Sequence, residues 1–114
     1  MTNPNDLKLR MVELAQRYLQ RTTSELDELR VLIAEVASGE ETTYKRIEIL
    51  SHRIRGSGAM FGFELIADAA FGIEMLAADA LREVHTDRVA VQARFDALMR
   101  LLVFVVRAAR EKCC

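Results

Sequence analysis

Apolar positions recur every three, four or seven residues along four long segments of this sequence, a spacing that predicts α-helices. The first helix is expected over roughly 6–37, with Asn5 or Asp6 as its N-terminal cap and an end at Ser38-Gly39. One helix, long or bent, is favoured over a break at Ser24. Its predicted buried positions are Met11, Ala15, Tyr18, Thr22, Leu29, Ile33 and Val36.

Three further helices follow. The second is capped near the pair Thr42-Thr43 and ends at Gly62-Phe63, the third spans about 64–83, and the fourth spans about 88–111 after a turn and cap at His85-Thr86-Asp87. Their predicted buried positions are Ile47, Leu50, Ile54 and Phe61, then Ile66, Ala69, Ala70, Ile73, Ala77 and Ala80, then Val91, Phe95, Leu98, Leu102, Val105 and Ala109.

No segment alternates with period two for long enough to predict a strand. Four amphipathic helices joined by short loops predict an all-α fold, an antiparallel up-down four-helix bundle with a long or bent N-terminal helix. We expect a single domain over residues 1–114.

The chain has 114 residues, with 16 basic and 17 acidic side chains and a formal net charge of −1. This length allows one core but no separate nucleotide-binding lobe. The even charge distribution argues against nucleic acid and anionic membranes as partners. The longest uncharged apolar run, Leu101 to Val106, is too short to span a bilayer, and no signal peptide is seen, so a cytoplasmic location is expected. The adjacent Cys113 and Cys114 are expected to be reduced.

The second predicted helix contains glycine at two interior positions, Gly56 and Gly58, where each costs about 1 kcal/mol relative to alanine. At about 100° per residue, His52 faces away from the apolar stripe, and Gly56 and Ala59 lie on its side of the helix. Arg55 lies about 60° to one side of the histidine. The imidazole therefore stands beside bare backbone, where a partner's active site could close over it.

Glu74 is a candidate orienting group for His52. If the chain reverses at Gly62, His52 lies ten residues before the turn and Glu74 twelve residues after it. Helix rises of about 15 and 18 Å then place both side chains at nearly the same level. A carboxylate that accepts the Nδ1–H of His52 would leave the lone pair on Nε2, as a nucleophile requires.

Simpler interpretations of these residues remain open. A lone exposed histidine commonly has no role, Glu74 could be an ordinary solvated helix residue, and Gly58 could serve packing alone. The glycines do not form a dinucleotide-binding or P-loop motif. A metal site is weakly supported, because His52 and His85 are the only histidines and Glu74 is the only further ligand found.

Residues 51–63 resemble the phosphorylation motif of histidine-containing phosphotransfer (HPt) domains. The ending Phe61-Gly62-Phe63 is most similar to the N-terminal phosphotransfer domain of chemotaxis histidine kinases, and Glu74 falls where that group carries a glutamate bonded to the histidine. Arg55 departs from the commoner lysine but keeps the positive charge. The positions that match the motif are His52, Ile54, Arg55, Gly56, Ser57, Ala59 and Gly62.

The resemblance implies that His52 carries a phosphoryl group to or from the aspartate of a receiver domain, or takes it from a histidine kinase. Arg55 would offset the phosphoryl charge and Glu74 would orient the ring. Arg53, Gly56 and Ala59 would contact the partner. The chain itself would need no cofactor, because Mg²⁺ is expected on the receiver, and it would be a monomeric phosphocarrier rather than an ATP-dependent kinase.

Two other signalling roles compete with this one. The phosphoacceptor hairpin of a histidine kinase usually has an acidic residue directly after the histidine, where this chain has Arg53. A helical adaptor that binds a signalling partner without carrying phosphate is the alternative from a different functional class. Exposure of His52 beside Gly56, and phosphate on His52, would distinguish the carrier from the adaptor.

Overall fold

The computed structural model describes residues 3–83 and 87–113, which form four α-helices and no strand. Each helix packs against the next along the chain, and the last packs against the first. The predicted all-α four-helix bundle with a long N-terminal helix is therefore confirmed. The helices are α1 (Pro4–Ala34), α2 (Glu41–Met60), α3 (Glu64–Arg82) and α4 (Arg88–Cys113), with a 3₁₀ turn at Val36–Ser38.

Helix α1 starts earlier and ends earlier than the sequence predicts. Asn3 is the N-cap, since its side chain accepts a hydrogen bond from the Asn5 backbone N–H at 3.0 Å, so the prediction of Asn5 or Asp6 was wrong. Pro4 occupies the first turn, where its missing N–H costs nothing. After α1 the chain continues through the 3₁₀ turn to Gly39. The φ of Gly39 is 70°, a left-handed conformation that glycine adopts readily.

The alternative break at Ser24 is wrong, because α1 is continuous through this polar stretch. The hydroxyl groups of Thr22 and Thr23 each donate to the carbonyl four residues earlier, at 2.8 Å. Their hydrogen bonds are thus satisfied within the helix, and the polar residues do not interrupt it.

The caps of the later helices are partly as expected. Helix α2 begins at Glu41, so the predicted cap at Thr42-Thr43 was wrong, and Glu40 precedes the helix without a side-chain cap. Asp87 caps α4, since its Oδ1 accepts from the backbone N–H groups of Val89 and Ala90 at 3.0 and 3.3 Å. His85 and Thr86 of the same predicted turn lie outside the described residues, as does Cys114.

The core is built from one face of each helix, and the α2 stripe contains Ile47, Leu50 and Ile54 as predicted. Phe61 was wrongly placed in this stripe, because α2 ends at Met60 and the next residue no longer follows the helical phase. The Phe61 ring instead lies at the surface, stacked on Tyr18 with 4.9 Å between ring centroids.

The buried face of α4 is wider than the single line of apolar residues that the sequence pattern predicts. Leu98 and Val105, which the pattern places in the core, are only partly buried, whereas their neighbours Met99 and Val106 are fully buried. The reason is that α4 packs against both α1 and α3, so two adjacent lines of side chains face apolar neighbours.

The first third of α1 extends beyond the rest of the bundle. With 31 residues α1 is about 46 Å long, whereas the 20 residues of α2 give about 30 Å. Every residue from 4 to 14 is exposed, including Met11 at 62%, so the prediction that Met11 is buried was wrong. The longest dimension of the molecule, 60 Å, reflects this overhang.

None of the helices formed by residues 3–83 and 87–113 combines the length and the apolar character that crossing a membrane requires.

Candidate functional site

His52 lies on the outer face of α2, eight residues before the end of the helix. Its side chain is 63% exposed, while its neighbours Ser51 and Ile54 are buried in the bundle. The Ser51 hydroxyl donates to the Ile47 carbonyl at 2.6 Å, so this buried polar group is satisfied within the helix. The amphipathic pattern of α2 therefore presents the imidazole to solvent on a rigid element.

The turn at Gly62 brings Glu74 of α3 next to His52. The two side chains lie at the same height along the helices, as the helix rise per residue predicted. The His52 Nδ1 lies 2.8 Å from the Glu74 Oε2. Because an ionised carboxylate can only accept, Nδ1 carries the proton and donates it in this hydrogen bond. The Nε2 atom then keeps its lone pair. Glu74 is only 15% exposed, so the group that holds the ring is more sheltered than the ring itself.

Arg55 is the third member of this cluster, one helical turn from His52. Its Nε lies 3.0 Å from the Glu74 Oε1, and its Nη2 lies 3.2 Å from the His52 Nδ1. Since Nδ1 donates to Glu74, it has no lone pair to offer, and we take the 3.2 Å approach as a contact rather than a second hydrogen bond. Arg55 is therefore bound to Glu74 by an ion pair.

Phe71 completes the surroundings of Arg55 and was missed by the sequence analysis. The Arg55 guanidinium carbon lies 5.0 Å from the centroid of the Phe71 ring, within the range of a cation–π interaction. Phe71 precedes Glu74 by three residues, so both lie on the same face of α3. That spacing is the signal in the sequence that could have identified it.

Gly56 leaves an open surface beside the histidine. A Cβ built on Gly56 would meet nothing within 4 Å, so the glycine is not needed for packing. Ala59, one turn further along α2, is also exposed. The two residues form a low, smooth surface on the His52 side of the helix.

Gly58 serves helix packing, which the sequence analysis left open. A Cβ at this position would lie 3.1 Å from the Tyr18 hydroxyl and 3.3 Å from the backbone nitrogen of Ala67. Both distances are tighter than ordinary carbon contacts. The absence of a side chain thus lets α2 approach α1 and α3 closely, and Gly58 is not part of the exposed site.

Arg53 lies apart from the His52–Glu74–Arg55 cluster, on the side of α2 that faces α1. Its Nη1 is 3.9 Å from the Oε2 of Glu25, a buried carboxylate whose other neighbour is the Arg21 Nε at 4.0 Å. Burial raises the pKa of Glu25, and the attraction of Arg21 and Arg53 opposes this shift in part. Arg53 itself is exposed.

Apolar side chains are exposed on both helices that form the site. Met75 is exposed on α3, and Ile49, one turn before His52, lines a groove between α1 and α2. Val31 lines the same groove, with Arg46 and Arg53 among the charged residues around it. The exposed surface of α2 and α3 thus combines apolar groups with charged ones.

No group of three or more His, Cys, Asp or Glu residues suited to holding a metal ion occurs in the part of the chain that the structure describes.

Comparison with known proteins gives one match. The sequence model of a family described as the Hpt domain matches residues 13–103, which is most of the chain and includes His52, Arg55 and Glu74. No curated protein and no solved structure matches the chain.

Proposed function

The chain belongs to the Hpt domain family, and on this premise we propose that His52 is its phosphoryl-carrying residue. Membership implies histidine phosphotransfer in phosphorelays and interaction with receiver domains and kinases. Our proposal is more specific: His52 accepts a phosphoryl group from, or returns it to, the aspartate of a response-regulator receiver domain. The further likeness to the phosphotransfer domain of chemotaxis kinases, carried by Phe61-Gly62-Phe63 and Glu74, is part of this proposal.

The contact between His52 and Glu74 is the observation that carries the proposal. It leaves the Nε2 lone pair on the exposed side of the ring, the arrangement that a nucleophile needs. In the transfer step Nε2 attacks the phosphorus of the receiver's aspartyl phosphate. The bond from phosphorus to the aspartate oxygen breaks, and that oxygen keeps the electron pair as a carboxylate.

The proton remains on Nδ1 throughout this step, so the phosphorylated ring becomes cationic. The Glu74 carboxylate, 2.8 Å from Nδ1, offsets the new positive charge, and a sheltered carboxylate does so more strongly than one in open water. The reverse transfer, from His52 to a receiver aspartate, follows the same path backwards. Any Mg²⁺ that assists it is proposed to be bound by the receiver.

The neighbouring residues have supporting roles in this proposal. Arg55 provides positive charge near the phosphoryl group while it is held by Glu74. Gly56 and Ala59 let the receiver approach closely, and the exposed Arg53 contacts it. We further propose that the carrier acts as a monomer and as one domain, since His52 and its orienting groups come from α2 and α3 of one chain.

A transfer assay with two histidine variants tests the proposal. Mixing the protein with a phosphorylated receiver domain is expected to give an adduct that is labile in acid and stable in base. The adduct should disappear in His52→Gln and persist in His85→Gln, which replaces the only other histidine. Phosphate retained by His52→Gln would contradict the assignment, and a wild-type protein left unlabelled by a panel of receivers and kinases would favour the adaptor role.

A further inference from the structure

Phe71 occupies an unusual position for a large aromatic residue. Its ring is 43% exposed and is not part of the hydrophobic core of the bundle. Exposing a ring of this size forgoes the stabilisation that burial would give. The contact that accounts for its position is the Arg55 guanidinium, 5.0 Å from the ring centroid.

Two pairs of residues at the same spacing face each other across the α2–α3 interface. His52 and Arg55 lie three residues apart on α2, and Phe71 and Glu74 lie three residues apart on α3. Because the helices are antiparallel, His52 meets Glu74, while Arg55 meets both Phe71 and Glu74. The four side chains form one line of contacts that ends at the His52 Nδ1.

Arg55 needs such a support, since arginine has a long side chain with many rotamers. Its guanidinium is partly exposed, and its only anionic neighbour in the described part of the chain is Glu74. The Glu74 Oε1 makes no hydrogen bond within that same part of the chain, so the ion pair with Arg55 is the contact that holds this oxygen, while Oε2 is held by His52. A mobile Arg55 would leave the carboxylate held on one side only, by the hydrogen bond from His52, and that bond would be formed a smaller fraction of the time.

We propose that Phe71 is a positioning residue for phosphotransfer: its ring holds Arg55 against Glu74, and Glu74 in turn fixes the tautomer and orientation of His52. The inference rests on the proposed role of His52 as the phosphoryl carrier. Phe71 itself does not touch the reacting atoms. Its effect is transmitted through two contacts, the 5.0 Å ring approach and the 3.0 Å ion pair.

The test compares three variants at exposed positions of α3, so that none threatens folding. Phe71→Leu removes the ring and keeps an apolar side chain, Phe71→Tyr keeps the ring, and Leu65→Met is a control at another exposed apolar position of α3. Nitrogen NMR of the isolated protein reports the tautomer of His52, and phosphotransfer from a receiver reports the rate.

Phe71→Leu is expected to lower the ratio of the Nδ1–H to the Nε2–H tautomer by about two- to fivefold, the effect of losing an exposed cation–π contact. Its transfer rate should fall by a similar factor, while Phe71→Tyr and Leu65→Met behave as wild type. An unchanged tautomer ratio in Phe71→Leu, or a Phe71→Tyr variant as impaired as Phe71→Leu, would overturn the inference. A ring that served only receiver docking would change the rate and leave the tautomer ratio as it was.

The NMR measurement needs no partner and no phosphate. A wild-type protein that takes up no phosphoryl group would refute the proposed function, whereas the tautomer ratios would still decide whether Phe71 positions His52.

Discussion

At the scale of single residues, the exposed group of the site and the group that orients it are different side chains. His52 is exposed enough for another protein to reach, while the carboxylate that sets its tautomer is sheltered between two helices. Nothing about the imidazole alone requires burial, because the nitrogen that we propose to react, Nε2, is the one that does not bond to Glu74. Gly56 belongs to the same scale, since its missing side chain is the feature that keeps the approach open.

Substitutions of Gly56 are expected to affect docking of the receiver without reducing the stability of the fold. A Cβ at this position meets nothing, and glycine in a helix interior costs about 1 kcal/mol, so Gly56→Ala and Gly56→Gln are expected to be at least as stable as wild type. Gly56→Gln should slow transfer from a receiver by about tenfold or more, since each 1.4 kcal/mol of lost docking energy is a factor of ten. Thermal unfolding and transfer kinetics measure the two effects.

Gly56→Ala is the control for this experiment, because it adds one methyl group and should change the transfer rate little. Wild-type transfer by Gly56→Gln would mean that the open surface is incidental.

At the scale of helices, α2 has two different tasks on its two sides. Its inner stripe and Gly58 pack against α1 and α3, and its outer side carries His52 and Gly56. The α1–α2 interface also contains Glu25, a carboxylate with 9% of its side chain exposed and with no hydrogen-bond partner for Oε1 in residues 3–83 and 87–113. A buried carboxylate with only distant cations is a local cost to stability.

Glu25→Gln is therefore expected to stabilise the bundle at neutral pH, by on the order of 1 kcal/mol. Burial raises the folded-state pKa of Glu25 above its usual value of 4.5, so the folded protein binds this proton more tightly than the unfolded chain does. Stability from this group is fully present below pH 4.5 and is lost as pH rises through the raised pKa. The advantage of Glu25→Gln should shrink accordingly as pH falls.

Chemical denaturation of wild type and variant across this pH range measures the difference. Glu13→Gln, on an exposed part of the same helix, should leave stability at pH 7 unchanged. A Glu25→Gln protein that is less stable than wild type at pH 7 would show that the carboxylate has a stronger partner than the two arginines.

At the scale of the whole molecule, the bundle and the α1 overhang differ in what holds them. Residues 4–14 contribute no buried side chain, although they include several exposed apolar ones. The first residue of α1 with partial burial is Ala15, and the first fully buried side chains are those of Tyr18 and Leu19. Stability and site geometry should therefore depend on the bundle and not on the overhang.

Two truncations test this division. Removing residues 1–12 is expected to change the free energy of unfolding by less than about 1 kcal/mol and to leave transfer unaffected, because residues 3–12, the described part of this segment, are all exposed. Removing residues 1–19 deletes the buried Tyr18 and Leu19 and should cost several kcal/mol, of order 3 or more for each large side chain. Denaturant unfolding measures both, and similar losses from the two truncations would contradict the division.

Sequence periodicity by itself determined the number of helices, the stripe of α2 and the face that carries His52, because these features depend only on 3.6 residues per turn within one segment. The sequence also predicted that Glu74 lies opposite His52. In two antiparallel helices joined by a tight turn, residues at similar distances from the turn lie at the same height. Helix caps were less predictable, as Asn3 and Glu40 show, because several neighbouring polar residues can serve as the first residue of a helix.

The tertiary structure alone decided which residues surround those that the sequence identified. The contact of Arg55 with Phe71, the pairing of Arg53 with Glu25 and the exposure of Phe61 and Met11 depend on how helices are rotated against each other and how far each extends. Such contacts join residues of different helices, and the spacing of apolar residues within one helix gives no information about them. The sequence therefore determined which side of the bundle carries His52, whereas packing between helices decided how that histidine is held.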